Sequence, residues 1–168
     1  MVNNEVIEKA IKGDVKAFKG IFDYYLPKMR PVCRRYSETD DEADDVLQEA
    51  FIKVYYNLKS FKFEGSFEGW IRKTVVNTAL NNIKQRKRNL NFLSIENISE
   101  ENEVELNPSD IDNLEQDQLL KIIKELPDGY KTVFTLYVLD DFSHKEIGAM
   151  LGISEGSTRS QYSKAKKM

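Results

Sequence analysis

The chain has 168 residues, of which 40% are hydrophobic and 32% are charged, and its formal net charge is −3. These values predict one or two small globular domains. The sequence also excludes a membrane-spanning protein, because no apolar run approaches the roughly 20 residues that a bilayer span needs. Residues 1–14 carry acidic side chains and lack the apolar stretch of a signal peptide, so we predict a cytoplasmic protein.

Chemically reactive residues are scarce in this sequence. Cys33 is the single cysteine and His144 the single histidine. One cysteine cannot form an internal disulfide, and with no histidine near it in sequence we interpret Cys33 as a buried structural thiol. Metal-ligand spacings, phosphate-binding glycine loops and nucleophile motifs are absent from the sequence. We therefore predict a protein that is not an enzyme and that uses no metal and no cofactor.

The small net charge conceals a strong asymmetry along the chain. Residues 62–88 carry +5 and residues 121–168 carry +2, whereas residues 89–120 carry −9 and no basic side chain. The electrostatic field at a protein surface is local, so overall acidity does not argue against nucleic-acid binding. The two basic segments are candidate nucleic-acid contacts.

Helical periodicity dominates the chain, and strand patterns are nearly absent. We predict a short helix over residues 4–12 and a long one over residues 15–36, with Asp14 as its N-cap. Pro27 and Pro31 are expected to kink or break the long helix.

Residues 41–61 predict a third, amphipathic helix, with apolar residues at three- and four-residue spacing and an acidic start that suits the helix dipole. Its acidic and partly apolar exposed face could dock on another protein. The alternative is an ordinary amphipathic core helix, which the periodicity by itself favours.

A glycine-containing aromatic loop precedes a fourth helix, which Ser66 is expected to cap and which extends to Arg88. Aromatic rings followed by cations are the combination that holds single-stranded nucleic acid. Equally, Phe67 and Trp70 could be core residues at the start of a helix with a solvated basic end. These residues alone leave both interpretations open.

Residues 91–112 read as an acidic linker. They separate a predicted N-terminal domain, residues 1–90, from a predicted C-terminal domain, residues 113–168. The C-terminal domain reads as four helices that begin near residues 113, 127, 144 and 155.

The last two of these helices have the pattern of a helix-turn-helix. Ser143 and Glu146 form a capping box, Gly148 supplies the small residue at the helix crossing, and Gly152 tolerates the positive φ of the turn. The exposed face of the last helix then carries donors suited to base edges and phosphates. The alternative is a plain helical hairpin with a solvated basic face, but the turn spacing, caps and basic tail together favour DNA binding.

The order of the motifs is more specific than any one of them. Asp44 to Phe51 (DDVLQEAF), Phe67 to Ile71 (FEGWI) and Val76 to Ala79 (VNTA) are followed by a basic helix end, an acidic linker and a terminal helix-turn-helix. This order, over residues 5–167, resembles the bacterial extracytoplasmic-function (ECF) sigma factors. The resemblance implies an all-α, two-domain subunit that directs promoter-specific initiation by RNA polymerase.

The resemblance also implies three sets of contacts. The third helix would dock on the β′ clamp helices of core RNA polymerase through Asp44, Asp45, Gln48, Glu49 and Ile52. The −10 promoter element would be melted and read by Phe63, Ser66, Phe67, Trp70, Arg72, Lys73, Asn77, Asn81, Lys84, Arg86, Lys87 and Arg88. The −35 duplex would be read in its major groove by Ser157, Thr158, Arg159, Ser160, Gln161, Ser163, Lys164 and Lys167.

Further partners follow from the same resemblance. They are the β flap of the polymerase, promoter DNA and an anti-sigma factor, and the acidic linker would pass through the polymerase near the active-site cleft. Thr158 stands where many relatives have an apolar residue, so we expect it to loosen the hairpin slightly. Gln161 replaces a common basic residue and shifts the expected preference towards adenine. Relatives usually continue for several helical residues beyond the position of Met168, so we expect either a truncated chain or a short recognition helix.

Two other functions remain as alternatives. A conventional helix-turn-helix regulator would bind duplex DNA tightly by itself, usually as a symmetric dimer. An interaction protein that mimics a sigma factor would bind a regulator and support no promoter-dependent transcription.

Overall fold

The computed structural model describes residues 2–91 and 116–168. Within these ranges the chain is helical and contains no strand, which confirms the all-α prediction. The described residues fall into two compact units, one within Met1–Ile95 and the other within Glu96–Met168. The predicted linker lies outside the described residues apart from its first residue. No helix in the described ranges has the length and apolar character to cross a membrane.

Four helices build the first unit. They are α1 (Asn4–Ile11), α2 (Val15–Tyr36), α3 (Asp40–Asn57) and α4 (Phe67–Asn91), with a 3₁₀ turn at Leu58–Ser60 after α3. The loop that joins this turn to α4 contains Phe63, whereas Phe67 and Trp70 lie at the start of α4 itself.

Helix α2 runs from Val15 to Tyr36 without interruption, although Pro27 and Pro31 lie inside it. The expected break is absent because α2 packs against α1, α3 and α4. Tyr25 and Met29, which lie close to the prolines, are buried. The free energy gained from this burial offsets the cost of the main-chain hydrogen bonds that the prolines cannot make. At its start, Asp14 accepts hydrogen bonds from two main-chain N–H groups, which confirms the predicted cap.

The core of the first unit lies between α2, α3 and α4. The apolar face predicted from the three- and four-residue spacing consists of Val46, Leu47, Ala50, Phe51, Val54 and Leu58, and all six are buried. Helix α4 adds Ile71, Val75, Val76, Ala79 and Leu80. Full burial of one such aliphatic side chain contributes roughly 1.5–3 kcal/mol for the larger residues, so this core fixes the faces that α3 and α4 leave exposed.

The described part of the second unit, residues 116–168, contains four helices: α5 (Gln116–Glu125), α6 (Asp128–Phe134), α7 (His144–Leu151) and α8 (Glu155–Lys167). Helix α6 continues into a π-helical turn, Thr135–Leu139. Ile123, Phe134 and Ala165 form a buried cluster against which Leu119 and Tyr162 pack. The first of the four helices was predicted from residue 113, and residues 113–115 lie outside the described ranges.

The helix-turn-helix is formed by α7 and α8. The Ser143 and Glu146 side chains and main chains make the reciprocal capping box, and Gly152 has φ of 70° at the turn. A Cβ atom on Gly148 would lie 2.8 Å from the main-chain oxygen of Ile153, closer than real contacts allow. The crossing therefore requires glycine at position 148, as the sequence predicts.

Candidate nucleic-acid and protein interfaces

One exposed stripe of α4 combines an aromatic ring, amides and cations. Successive residues of an α-helix are about 100° apart around the helix axis. Residues that follow one another at steps of three and four, as here, therefore lie within about 80° of one another on one side of the helix. The stripe consists of Trp70, Lys73, Asn77, Asn81, Lys84 and Arg88, and we call it the α4 stripe. Trp70 and Asn77 are partly exposed and the other four residues are exposed. Lys87 is exposed beside it.

Two of the predicted −10 cations lie on another face of α4. Arg72 contacts the carboxylate of Glu68 at 3.4 Å. Arg86 contacts Glu42 of α3 at 2.5 Å and Glu38 at 3.5 Å. The helix places both arginines about half a turn away from the α4 stripe. The structure therefore does not bring Arg72 or Arg86 together with the other predicted DNA contacts.

The loop before α4 is packed around an aromatic cluster. Phe61 lies 4.9 Å from Phe67 and 5.7 Å from Trp70 between ring centroids, and the Phe67 and Trp70 rings are nearly parallel. Phe61 and Phe67 are buried, whereas Trp70 is half-buried. Phe67 is therefore a core residue that packs beneath the loop, and little of its ring is accessible to DNA.

Phe63 is the exposed member of this cluster. Its side chain is 40% exposed, and its ring centroid lies 5.0 Å from that of Phe61. Its φ of 60° is rare for a bulky residue and stores strain that surrounding contacts must hold. Ser66 caps α4, since its hydroxyl oxygen accepts from the main-chain N–H of Gly69 at 3.3 Å. The hydroxyl predicted to contact DNA therefore already serves the helix start.

Helix α3 exposes an acidic and apolar face on the side away from its buried residues. Asp45, Gln48 and Ile52 occupy this face at three- and four-residue spacing, and Ile52 is 58% exposed. Tyr55 and Tyr56 extend the face and are 46% and 77% exposed. Sequence reasoning missed the two tyrosines, because the period of the helix placed them beside core positions. Two consecutive aromatics in the last turn of an amphipathic helix were the available signal.

The remaining two predicted docking carboxylates already have partners. Asp44 accepts two hydrogen bonds from the Arg30 guanidinium, at 2.7 and 3.0 Å, and this pairing lowers the pKa of Asp44. Glu49 accepts from Lys53 at 2.7 Å and from Asn82 of α4 at 3.1 Å. The hydrogen bond from Lys53 holds the pKa of Glu49 below its ordinary value. Asp45, with no such pairing in the described residues, is the carboxylate most accessible to a partner.

The outward face of α8 carries small polar residues and cations. Ser160, Ser163 and Lys167 lie furthest from the core, and Ser157, Arg159 and Lys164 flank them, all exposed. In the free protein Arg159 is paired with Glu155 at 2.6 Å, a contact that lowers the pKa of Glu155. Arg159 is 64% exposed in its side chain, so this surface pair is weak and can be exchanged for a DNA contact.

Two predicted members of the α8 face are placed differently. Thr158 is fully buried, and its hydroxyl donates to the main-chain oxygens of Glu155 at 2.7 Å and His144 at 3.3 Å. It belongs to the hairpin and is not available to DNA. Gln161 is half-buried next to the start of α6, where it lines a cleft of about 530 Å³ with Tyr130, Ser157, Ser160 and Lys164.

His144 lies inside the second unit in an aromatic environment. Its ring stacks on Tyr137 at 4.3 Å and lies 5.6 Å from Tyr162. The Nδ1 atom is buried without a hydrogen-bond partner in the described residues. Burial, reinforced by the charge of Arg159, lowers the pKa of His144. The histidine is therefore a neutral packing residue between the π-helical turn and α8.

Together, these features define a class: a two-unit, helical DNA-binding protein with a terminal helix-turn-helix and a separate aromatic and cationic stripe. Comparison with known families agrees. The profile named "Sigma-70 region 2" matches residues 21–89, and "Sigma-70, region 4" matches residues 116–168. The chain is 30% identical to the ECF RNA polymerase sigma factor SigW of Bacillus subtilis over 96% of its length and 91% of the relative's. It is also 30% identical to the ECF sigma-E factor of Haemophilus influenzae, over 100% of this chain and 93% of the relative.

Solved structures show the same fold. The sigma factor RpoE of Bartonella quintana, crystallised with the anti-sigma factor NepR, has a TM-score of 0.60 at 20% identity and covers 90% of this chain and 93% of its own. CnrH, in complex with the cytosolic domain of CnrY, has a TM-score of 0.58 at 16% identity, with 99% and 93% coverage. The chain belongs to the ECF RNA polymerase sigma factors, which are transcription initiation factors.

Proposed function

We propose that this sigma factor divides its work among three surfaces: the exposed α3 face for core RNA polymerase, the α4 stripe for the −10 element, and the outward face of α8 for the −35 element. The observation that carries the proposal is the separation of roles on α4. Its Trp70 to Arg88 stripe is exposed and cationic, while its opposite face packs on the helix that carries the polymerase-facing residues.

At the −10 element, the α4 stripe binds the nontemplate strand. Lys73, Lys84 and Arg88 neutralise phosphates, and the Asn77 and Asn81 amides hydrogen-bond with backbone or bases. Phe63 offers a ring for an unstacked base at the end of the stripe, and Trp70 supports it through the aromatic cluster. Extruding a base costs a few kcal/mol, which stacking and hydrogen bonds at such a pocket repay.

At the −35 element, α8 enters the major groove. The small side chains of Ser160 and Ser163 allow the helix to approach closely, while Arg159 on its flank reaches base edges. Arg pairs bidentately with guanine. Lys164 and Lys167 contact phosphates and fix the register. Thr158 holds the hairpin from inside.

For the polymerase, Asp45, Gln48 and Ile52 supply the docking contacts, with Tyr55 and Tyr56 at the edge of the same face. Ile52 and the tyrosines desolvate on docking, and Asp45 pairs with a cation of the clamp helices. Asp44 and Glu49 support this face through their pairs with Arg30 and Asn82. The second unit contacts the β flap, and an anti-sigma factor would act by covering one of these surfaces.

The same proposal includes a division into domains of residues 1–90 and 113–168, joined by the acidic residues 91–112. It includes a cytoplasmic location, where the polymerase is, and no catalytic chemistry of its own. Each DNA module is small, so duplex binding by the free protein is weak. Polymerase docking raises the effective concentration of both modules at one promoter.

The experiment that tests the docking surface is a binding titration of core polymerase with fluorescently labelled full-length protein. The double variant Gln48→Ala, Ile52→Ala removes two exposed side chains, so it should fold normally and bind at least roughly ten-fold more weakly. Val15→Ala is the matched control, since Val15 is 69% exposed and lies on α2, outside the helix that carries the docking residues. Undiminished binding by the double variant would contradict the assignment.

A further inference from the structure

The start of α3 is held in place by charged side chains from two other helices. On the α2 side, Arg30 binds Asp44 and Arg34 lies 2.8 Å from Asp40. On the α4 side, Arg86 binds Glu42, a residue 44 positions earlier in the chain. The acidic first turns of α3 are therefore clamped between α2 and α4.

The ion pair between Arg86 and Glu42 belongs to a network of hydrogen bonds at the start of α3. The second carboxylate oxygen of Glu42 accepts a hydrogen bond from the main-chain N–H of Glu38 at 2.7 Å. The main-chain N–H of Glu42 in turn donates to the Thr39 hydroxyl at 3.1 Å, which is the N-cap of α3. Arg86 also lies 3.5 Å from the Glu38 carboxylate. One guanidinium thus fixes the turn between α2 and α3 and the entry into α3.

A second tie lies further along the same interface. Asn82, one turn before Arg86 on α4, donates to Glu49, two turns after Glu42 on α3. The two contacts run antiparallel, with the α4 number rising as the α3 number falls. They hold the α3 face at both ends of the segment that contains Asp45 and Gln48.

Arg86 is poorly placed to touch DNA. Arg88 is exposed in the α4 stripe, whereas Arg86, two residues earlier, lies about 200° away around the helix. The Arg86 side chain is 30% exposed and Glu42 is 27% exposed, so the pair is half-withdrawn from solvent and less screened than a surface pair.

We propose that Arg86 is a positioning residue for polymerase docking, which orients the start of α3 and the neighbouring Asp45, and that it makes no DNA contact. The inference rests on the proposed docking role of the α3 face. It assigns different functions to two arginines that are two residues apart in one basic cluster.

The test compares Arg86→Gln with Arg88→Gln in the full-length protein, since both variants remove one positive charge from the same helix end. Three quantities are measured: affinity for core polymerase, the salt dependence of binding to an oligothymidine strand, and amide hydrogen exchange of residues 38–45. The exchange measurement needs no polymerase and so separates this inference from the proposed function.

For Arg86→Gln we expect faster exchange at residues 38–45 and roughly ten-fold weaker polymerase binding, the loss typical of a charge-assisted hydrogen bond. Its salt slope should match that of the unsubstituted protein. For Arg88→Gln we expect unchanged exchange and polymerase affinity, and a salt slope smaller by about 0.7, the value for one phosphate contact on a single strand.

Arg86→Lys keeps the charge but cannot bridge Glu42 and Glu38 in the same geometry, so it should recover only part of the loss. An Arg86→Gln variant with a reduced salt slope and unchanged exchange would overturn the proposal, because Arg86 would then be a phosphate contact. Faster exchange with unchanged polymerase affinity would also overturn it. If the unsubstituted protein failed to bind polymerase, the proposed function itself would fall.

Discussion

The hydroxyl group of Thr158 in α8 donates a hydrogen bond to the main-chain oxygen of His144 at the start of α7, 3.3 Å away, and thereby joins the two helices of the helix-turn-helix. The side chain is fully buried and bonds also to Glu155. A residue expected to loosen the hairpin thus has a satisfied polar group inside it, and the two helices keep their crossing.

Replacing Thr158 with Val should lower the stability of the second unit. The substitution removes the one hydroxyl proton that is shared between the main-chain oxygens of Glu155 and His144, and the expected loss is roughly 0.5–1.5 kcal/mol in the free energy of unfolding. Ser163→Ala is the control, since Ser163 is exposed on the same helix and should stay within about 0.5 kcal/mol. Urea unfolding followed by circular dichroism measures both. Equal stability of the two variants would show that the Thr158 bonds contribute nothing.

Gly148→Ala should damage the helix crossing. The added Cβ would meet the Ile153 oxygen at 2.8 Å, and main chain cannot move aside as a flexible side chain does. We expect a loss of roughly 1–3 kcal/mol. Gly156→Ala is the matched control, because its nearest neighbour would be the Ser154 hydroxyl at 3.9 Å and the helix should gain up to about 1 kcal/mol. In thermal unfolding, the midpoint temperature should fall for Gly148→Ala and stay equal or rise for Gly156→Ala. A midpoint that does not fall for Gly148→Ala would contradict the tight crossing.

Arg159→Ala should reduce discrimination at the −35 element more than it reduces overall affinity. A lost Arg–base pair costs about 1–3 kcal/mol at one promoter position, whereas a lost phosphate contact weakens all sequences alike. Lys167→Ala is the comparison and should lower the salt slope by about 1 with little change of preference. Transcription from promoters with single −35 substitutions measures the preference. An unchanged −35 preference in Arg159→Ala would refute this role.

The second unit should lose stability as pH falls below neutrality. The pKa of His144 is lowered in the folded protein, so the unfolded chain binds the proton more readily. The contribution of the neutral His144 ring to folding stability is complete above the ordinary histidine pKa of about 6.5. It is lost as the pH falls from there through the lower pKa that the ring has in the folded protein. Tyr137, Glu155, Arg159 and Tyr162 surround the ring.

Comparison of His144→Gln with the unsubstituted chain isolates this effect. The difference in midpoint temperature between pH 7.5 and pH 5.5 should shrink in the variant, because the titrating ring is gone. Both proteins are followed at the same ionic strength. A pH dependence that persists unchanged in His144→Gln would assign it to carboxylates instead.

Cys33 should resist thiol reagents in the folded protein. The side chain is completely buried, and burial raises the pKa of its thiol to about 12, so almost none is thiolate at neutral pH. Ellman's reagent should therefore react at the rate of unfolding and rapidly in denaturant. Fast labelling under native conditions would place Cys33 at a surface and contradict the packing of α2.

Much of this architecture is readable from the residues, because local rules and tertiary packing agree. The α3 core positions, the Asp14 cap, the capping box and the glycine at the α7–α8 crossing all follow from spacing and stereochemistry. Pro27 and Pro31 are the counterexample. A local rule predicts a kink or a break in α2, and the helix, packed against three others, continues through both prolines without a break.

The assignment of individual site residues was harder to predict, because it depends on partners distant in sequence. Arg86 and Arg88 look equivalent in the run QRKR, and only the positions of Glu42 and Glu38 across the helix interface distinguish them. Thr158 and Gln161 similarly read as surface residues of a polar helix. The packing of α8 against α7 and α6 decides which side chains remain free.

Transcription from a randomised promoter library by core RNA polymerase, with and without this protein, shows directly whether the chain selects promoters. With the protein present we expect new transcripts whose promoters share two short elements at a constant separation, with Arg159→Ala relaxing the sequence requirement of the upstream element alone. Transcript patterns identical to those of core polymerase alone, together with tight binding of the free protein to duplex DNA, would contradict this expectation and favour a conventional regulator.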